Sequence, residues 1–97
     1  MSVLIELSIF PMDKGTSLSP YVARAVAIIK KSGLPYRLGP MGTCIEGDWE
    51  AVMAVVNRCF YALKKDCDRL NVSIKVDYRE GASDRISGKI ASVERRL

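Results

Sequence analysis

The apolar residues of this chain change period several times, and the order of those changes leaves few folds open. Val3, Ile5, Leu7 and Ile9 recur at every second position, opposite Leu4, Glu6, Ser8 and Phe10, which is the pattern of a strand with one oily face. Pro11 stops that ladder, and the polar stretch from Asp13 to Ser17 runs into Ser19-Pro20, which reads as an N-cap followed by proline at the first helical position. The helix predicted from Pro20 carries Val22, Ala25, Val26 and Ile29 on one stripe, and Gly33 supplies a left-handed end. Leu34 to Leu38 reads as a short extended run, Gly39-Pro40-Met41-Gly42 as a turn, and Thr43 to Glu46 as the returning strand of a hairpin.

The strongest periodic signal follows. With Asp48 as cap, Trp49, Val52, Met53, Val56, Phe60, Leu63, Cys67 and Leu70 are spaced 3, 1, 3, 4, 3, 4 and 3 apart, which predicts one long helix ending near Asn71. Val72, Ile74, Val76 and Tyr78 then alternate with Ser73, Lys75, Asp77 and Arg79, a last strand with one oily face. Ile86, Ile90, Val93 and Leu97 return to helical spacing. Strand, helix, strand, strand, helix, strand is the split order of the α+β ferredoxin-like βαββαβ sandwich: a four-stranded antiparallel sheet with two helices on one face, here with a short C-terminal helix added. The chain has 97 residues, 48% of them hydrophobic and 27% charged, which suits one globular domain over 1–97. For 10.7 kDa, scaling gives a folded surface of about 5,500 Å², against roughly 15,500 Å² unfolded. The second sheet face is expected to be bare, with Leu4, Glu6, Ser8 and Phe10 beside Ser73, Lys75, Asp77 and Arg79, an amphipathic surface that invites a partner.

Composition narrows the chemistry. The chain has no histidine, which removes the commonest general base and zinc ligand and every Ser-His or Cys-His dyad. Three cysteines, Cys44, Cys59 and Cys67, lack CxxC spacing and read as reduced thiols with neither a disulfide framework nor a metal site. A net charge of +4 from scattered residues does not point to nucleic acid. The first ten residues alternate and lack a basic leader, so a strand is expected there and a cytoplasmic location without membrane association.

Two clusters stand out as candidate binding elements. Gly15-Thr16-Ser17-Leu18-Ser19-Pro20-Tyr21 brings hydroxyls and amide donors to a helix N-terminus; capping alone would account for Ser19, but less readily for Thr16, Ser17 and Tyr21. From Gly39 to Gly47, three glycines and a proline bracket the Thr43 hydroxyl and the Glu46 carboxylate, either to position function rigidly or because a hairpin requires glycine at positive φ; Met41 between them reads as packing. Asp77 and Arg79 lie with Lys75 on one face of the last strand, either a solvated face whose charges pair with neighbouring strands or part of a covered one.

Taken together, the hydroxyl-rich loop ending in Ser19-Pro20-Tyr21, the Gly42-Thr43-Cys44-Ile45-Glu46-Gly47 hairpin, Lys75-Val76-Asp77-Tyr78-Arg79 and Lys89-Ile90-Ala91-Ser92-Val93 resemble the thiamine-binding protein family over nearly the whole chain. The resemblance implies a ferredoxin-like domain that pairs through its sheet face into homodimers, with homotetramers common, and that binds thiamine or its hydroxymethylpyrimidine portion. Transferred by motif position, Thr16, Ser17, Ser19, Tyr21, Met41, Thr43, Glu46, Asp77 and Arg79 are the candidate ligand residues, with Glu46 accepting from the aminopyrimidine or facing the thiazolium. It implies a carrier or sensor without catalytic residues or a bound cofactor. The competing reading is a regulatory or structural interaction subunit that binds no thiamine. An RNA-binding sheet is disfavoured because the last strand shows Ser73, Lys75, Asp77 and Arg79 where stacking aromatics would sit.

Overall fold

The computed structural model describes residues 2–97. Its elements are β1 (Val3–Pro11), α1 (Ser19–Lys31), β2 (Tyr36–Leu38), β3 (Thr43–Gly47), α2 (Trp49–Lys64), β4 (Leu70–Tyr78) and α3 (Arg85–Glu94). The sheet is antiparallel in the order β2-β3-β1-β4, as the ferredoxin-like reading requires. β1 sets the register: Ile5 lies beside Ile45 on one side and Val76 on the other, and Leu4 beside Glu46 and Asp77. Because side chains alternate, Val3, Ile5, Leu7, Ile9, Thr43 and Ile45 face the helices, where α1 adds Ala25 and Ile29 and α2 adds Val52, Val55, Val56, Cys59 and Leu63 to the core.

The helix ends differ from the sequence reading in two places. Ser19 is the first helical residue of α1 and does not cap it; Leu18 holds the cap position, and its carbonyl accepts from the Tyr21 and Val22 amides. Gly33 does close the helix in the left-handed region, at φ 78°. α2 stops at Lys64, short of Cys67 and Leu70, although the apolar spacing continues. Tertiary bonds override the period there. The Arg24 guanidinium of α1 donates to the Ala62 carbonyl at 2.8 Å and pairs with Asp66 at 2.9 Å, occupying an acceptor that helix ends leave open. Asp13 accepts the Asp68 amide at 2.8 Å and the Met12 amide donates to the Arg69 carbonyl, so the chain is tied to the end of β1 and leaves as β4 from Leu70.

Two further expectations are corrected. The outer face of the sheet is not bare, because α3 packs against the end marked by Leu4, Glu46 and Asp77. The oily face of β4 is not core: Val72, Ile74, Val76 and Tyr78 share the side of Val3, Ile5, Leu7 and Ile9 but are 38% to 51% exposed, since the helix layer stops short of this edge strand.

Candidate ligand site

β1 is longer than its neighbour β3, and this difference builds an apolar cavity beside α1. β3 pairs with Val3 to Leu7 only, while Ser8 to Pro11 continue beside β4 alone. The main-chain groups that this half of β1 turns away from β4 therefore have no strand partner. α1 lies across the notch with Leu18, Val22, Ala25 and Val26, and the β2–β3 turn closes it with Leu38, Met41 and Thr43. The result is a mostly apolar pocket of about 250 Å³, with Ser8 and Phe10 on its β1 wall.

The turn is shaped by close approach. Gly39 donates to the Gly42 carbonyl at 2.8 Å, and a Cβ on Gly39 would stand 2.9 Å from that oxygen. A Cβ on Gly42 would meet the Glu6 side chain at 3.0 Å and the Leu7 carbonyl at 3.2 Å. Neither glycine is at positive φ, so the φ-based reason for them gives way to a steric one. Thr43 is buried at the pocket wall, and it is the one polar side chain that β1 and β3 turn toward the helices.

Of the other candidates, Thr16, Ser17 and Ser19 are exposed in the loop and first turn leading into α1, with Leu18 between them lining the pocket. Gly15 in this loop has φ 76°. Tyr21 turns away from the pocket; it packs against the core beside Arg24, whose guanidinium carbon lies 5.9 Å from the ring centroid.

Glu46 and Asp77 meet at α3, not at the pocket. The Glu46 side chain is on the outer face at 5% exposure, and its carboxylate accepts the Arg85 amide at 3.0 and 3.1 Å and the Ile86 amide at 3.3 Å. It thus supplies from β3 the cap for α3, at the positive end of that helix. The Ser2 hydroxyl adds a contact at 3.4 Å. Arg85 donates to the Asp77 carbonyl at 2.9 Å and to its carboxylate, which Lys89 also engages. The hydrogen bond from Lys89, reinforced by the charge of Arg85, holds the Asp77 carboxyl below its ordinary value of 3.8. Asp84, at φ 51°, makes the sharp entry into α3. Arg79 lies past the end of β4, beside the loop that leads to α3. Another concavity, of about 320 Å³, lies along the edge of α3 on the outer face between Leu4, Glu6, Cys44, Lys75, Asp77 and Lys89. Burial, then the neighbouring Glu6 carboxylate, raises the Cys44 thiol above its ordinary range.

The nine candidates are therefore divided. Met41 and Thr43 share the pocket, the three hydroxyls border its loop, and Glu46 and Asp77 secure α3. Sequence reasoning missed Val22, Val26, Phe10 and Leu38 as pocket walls because apolar periodicity assigns such residues to the core or to solvent. The available signal was the length mismatch between β1 and the short Thr43 strand. Arg85 was missed as well; a buried arginine in an amphipathic C-terminal segment has no signature in spacing.

Comparison with known proteins places this arrangement among relatives. A UPF0045 protein of Mycobacterium bovis is 42% identical over 98 residues, covering 100% of this chain and 96% of its own. A hypothetical protein of Methanocaldococcus jannaschii, solved by crystallography, superposes with a TM-score of 0.89 at 32% identity, over 96% of each chain. A Thermotoga maritima protein, provisionally named for thiamine biosynthesis or salvage, superposes at 0.85 with 25% identity, over 96% of this chain and 99% of that one. The family model described as thiamine-binding protein matches residues 5–94. With its sequence matched over nearly the full length and its fold shared with these structures, this chain belongs to the thiamine-binding protein family.

Proposed function

We propose that this protein is a non-enzymatic carrier or sensor that binds the hydroxymethylpyrimidine portion of thiamine, free or within thiamine itself, in the pocket between α1 and the unpaired half of β1. The observation that carries this reading is the pocket's size and lining. Small-molecule sites commonly span roughly 300–1,000 Å³, and a cavity of about 250 Å³ suits one substituted ring better than the whole two-ring vitamin. An aminopyrimidine is flat, with apolar faces and an edge that alternates donor and acceptor. Leu18, Val22, Val26 and Met41 match the faces. The main-chain edge of Ser8 to Phe10 and the Thr43 hydroxyl match the donors and acceptors. In thiamine the cationic thiazolium would then project toward the exposed loop of Thr16, Ser17 and Ser19. Membership of a family described by thiamine binding supports the same ligand class.

The working form proposed is cytoplasmic and self-associated, with a second copy on the part of the outer sheet face that α3 leaves open, around Ser8, Phe10 and Ser73. No helix among the described residues is long and apolar enough to cross a membrane.

Isothermal titration with hydroxymethylpyrimidine and with thiamine tests the ligand. The expected result is saturable binding near one ligand per chain, about tenfold weaker in Thr43→Val, the worth of one hydrogen bond, and abolished in Val22→Trp, which fills the cavity. Absence of heat with either compound at an intact fold would overturn the reading.

A further inference from the structure

The hydrogen-bond parity of β1 fixes which main-chain groups face the ligand pocket. In an antiparallel sheet, successive residues of a central strand turn to alternate neighbours, and each presents its N–H and C=O to the same side. The Met12 amide donates to the Arg69 carbonyl at 2.8 Å, in line with the register of β1 and β4. Counting back by twos, Phe10 and Ser8 bond to β4, while Ile9 and Pro11 turn the other way, as Leu7 does toward Thr43. A β3 continued in register would set Met41 opposite Ile9. Met41 instead swings out, 83% exposed, in the turn that the Gly39 amide closes on the Gly42 carbonyl. Ile9 therefore presents one donor and one acceptor, side by side, to the pocket that it lines. Among the described residues no turn or loop bond takes either group, whereas buried main-chain groups are almost always paired.

Pro11 gives this edge a second character. Its main chain also turns toward the notch, but proline has no N–H, so beyond Ile9 the edge offers only a carbonyl. The missing donor costs nothing in the ladder with β4, which lies on the other side. A strand adding here would find a single donor. A small ring needs no more.

Donor and acceptor on one residue have a specific complement: acceptor and donor on neighbouring atoms of a flat ring. A ring nitrogen beside a carbon that bears an amino group supplies it. The nitrogen accepts from the Ile9 N–H, and the amino group donates to the Ile9 carbonyl. The cavity of about 250 Å³ is mostly apolar, so few other groups can direct the ring.

We propose that the Ile9 main chain reads this amidine edge of the pyrimidine and makes the pocket selective for amino over oxo rings. The inference rests on the ligand reading above and adds the groups that set its specificity. An oxo ring sets its oxygen against the Ile9 carbonyl whichever ring nitrogen carries the proton, so two acceptors oppose each other in an apolar cavity. A site built for hydrogen bonds rejects such an analogue far more strongly than an apolar wall rejects a missing methylene.

Two measurements on the unaltered chain test it. Without ligand, the Ile9 amide should exchange about tenfold faster than those of Ser8 and Phe10, its neighbours bonded to β4. Equal protection of all three would overturn the geometry before any ligand is added. Titration then compares hydroxymethylpyrimidine with its oxo analogue, in which oxygen replaces the amino group. The amino compound should bind about a hundredfold more tightly or better, moving the Ile9 amide proton downfield and slowing its exchange. Comparable affinities for the two, with shifts still at Val22 and Thr43, would overturn the edge reading and leave the pocket standing. Binding of the amino compound without effect on the Ile9 amide would do the same, and binding of neither compound would overturn both.

Discussion

Glu46 shows how a motif can mark one carboxylate as special while hiding its structural role. Its place in a glycine-bracketed hairpin marks it, yet a linear motif does not reveal that a segment 39 residues later returns to the same side chain. Buried and bonded to two amides at the start of α3, it acts as a cap supplied by another element. Glu46→Ala should therefore lower stability by about 1–2 kcal/mol, the range of a lost cap, and speed amide exchange in α3 before the rest of the chain. Glu46→Gln should leave affinity for hydroxymethylpyrimidine within about twofold, and a complete loss of affinity would move Glu46 to the ligand. Asp77 adds a pH dependence of defined sign. Its folded pKa is depressed, so its contribution is present above the unfolded value near 3.8 and is lost as pH falls through the folded value. Loosening of α3 on acidification should follow, and Asp77→Asn should make the exchange of α3 insensitive over that window. The thiols differ as well. Burial pushes Cys59 up to about 11 and leaves it at 0% exposure, whereas Cys44 is only half-buried. A thiol reagent at pH 8 should modify Cys44 first and Cys59 only on unfolding, as mass spectrometry of the digest would show.

At the scale of elements, the order and faces of β1, α1, β3 and β4 follow from apolar period, because burial against a helix layer imposes that period directly. What period misses is set by contacts from elsewhere. α2 ends at Lys64 because Arg24, Asp13 and Met12 engage the segment after it, and the run through Cys67 and Leu70 carries no sign of those bonds. Likewise β4 alternates as a buried strand does, while the width of the helix layer, which depends on how α1 and α2 pack, decides that its oily side is left open. The candidate site was legible to a similar degree. Thr43 stands out through the glycine-rich turn and Met41 only through the family resemblance, whereas the α1 wall of the pocket looks like ordinary core stripe. The turn makes its own prediction. Gly42→Ala places a methyl group 3.2 Å from the Leu7 carbonyl, a backbone atom with little freedom to move. A loss of about 1–3 kcal/mol is expected from such overpacking, read as a lower denaturation midpoint, with weaker ligand binding as the pocket rim shifts.

For the whole molecule, one inequality of length accounts for much of the architecture. β1 and β4 extend past β3 at one end, which opens the pocket beside α1; α3 occupies the outer face at the opposite end, held by Glu46 and Asp77. The candidate cavity and the helix latch are thus separated along the sheet. The central claim is that the ring binds at the notch and not at the latch. Two-dimensional amide NMR during titration with hydroxymethylpyrimidine tests it most directly, because it reports position as well as binding. The account predicts saturable shifts at Ser8, Ile9, Val22, Met41 and Thr43, with α3 unmoved. Shifts centred on Glu46, Asp77 and Arg85, or none at saturating ligand, would contradict it.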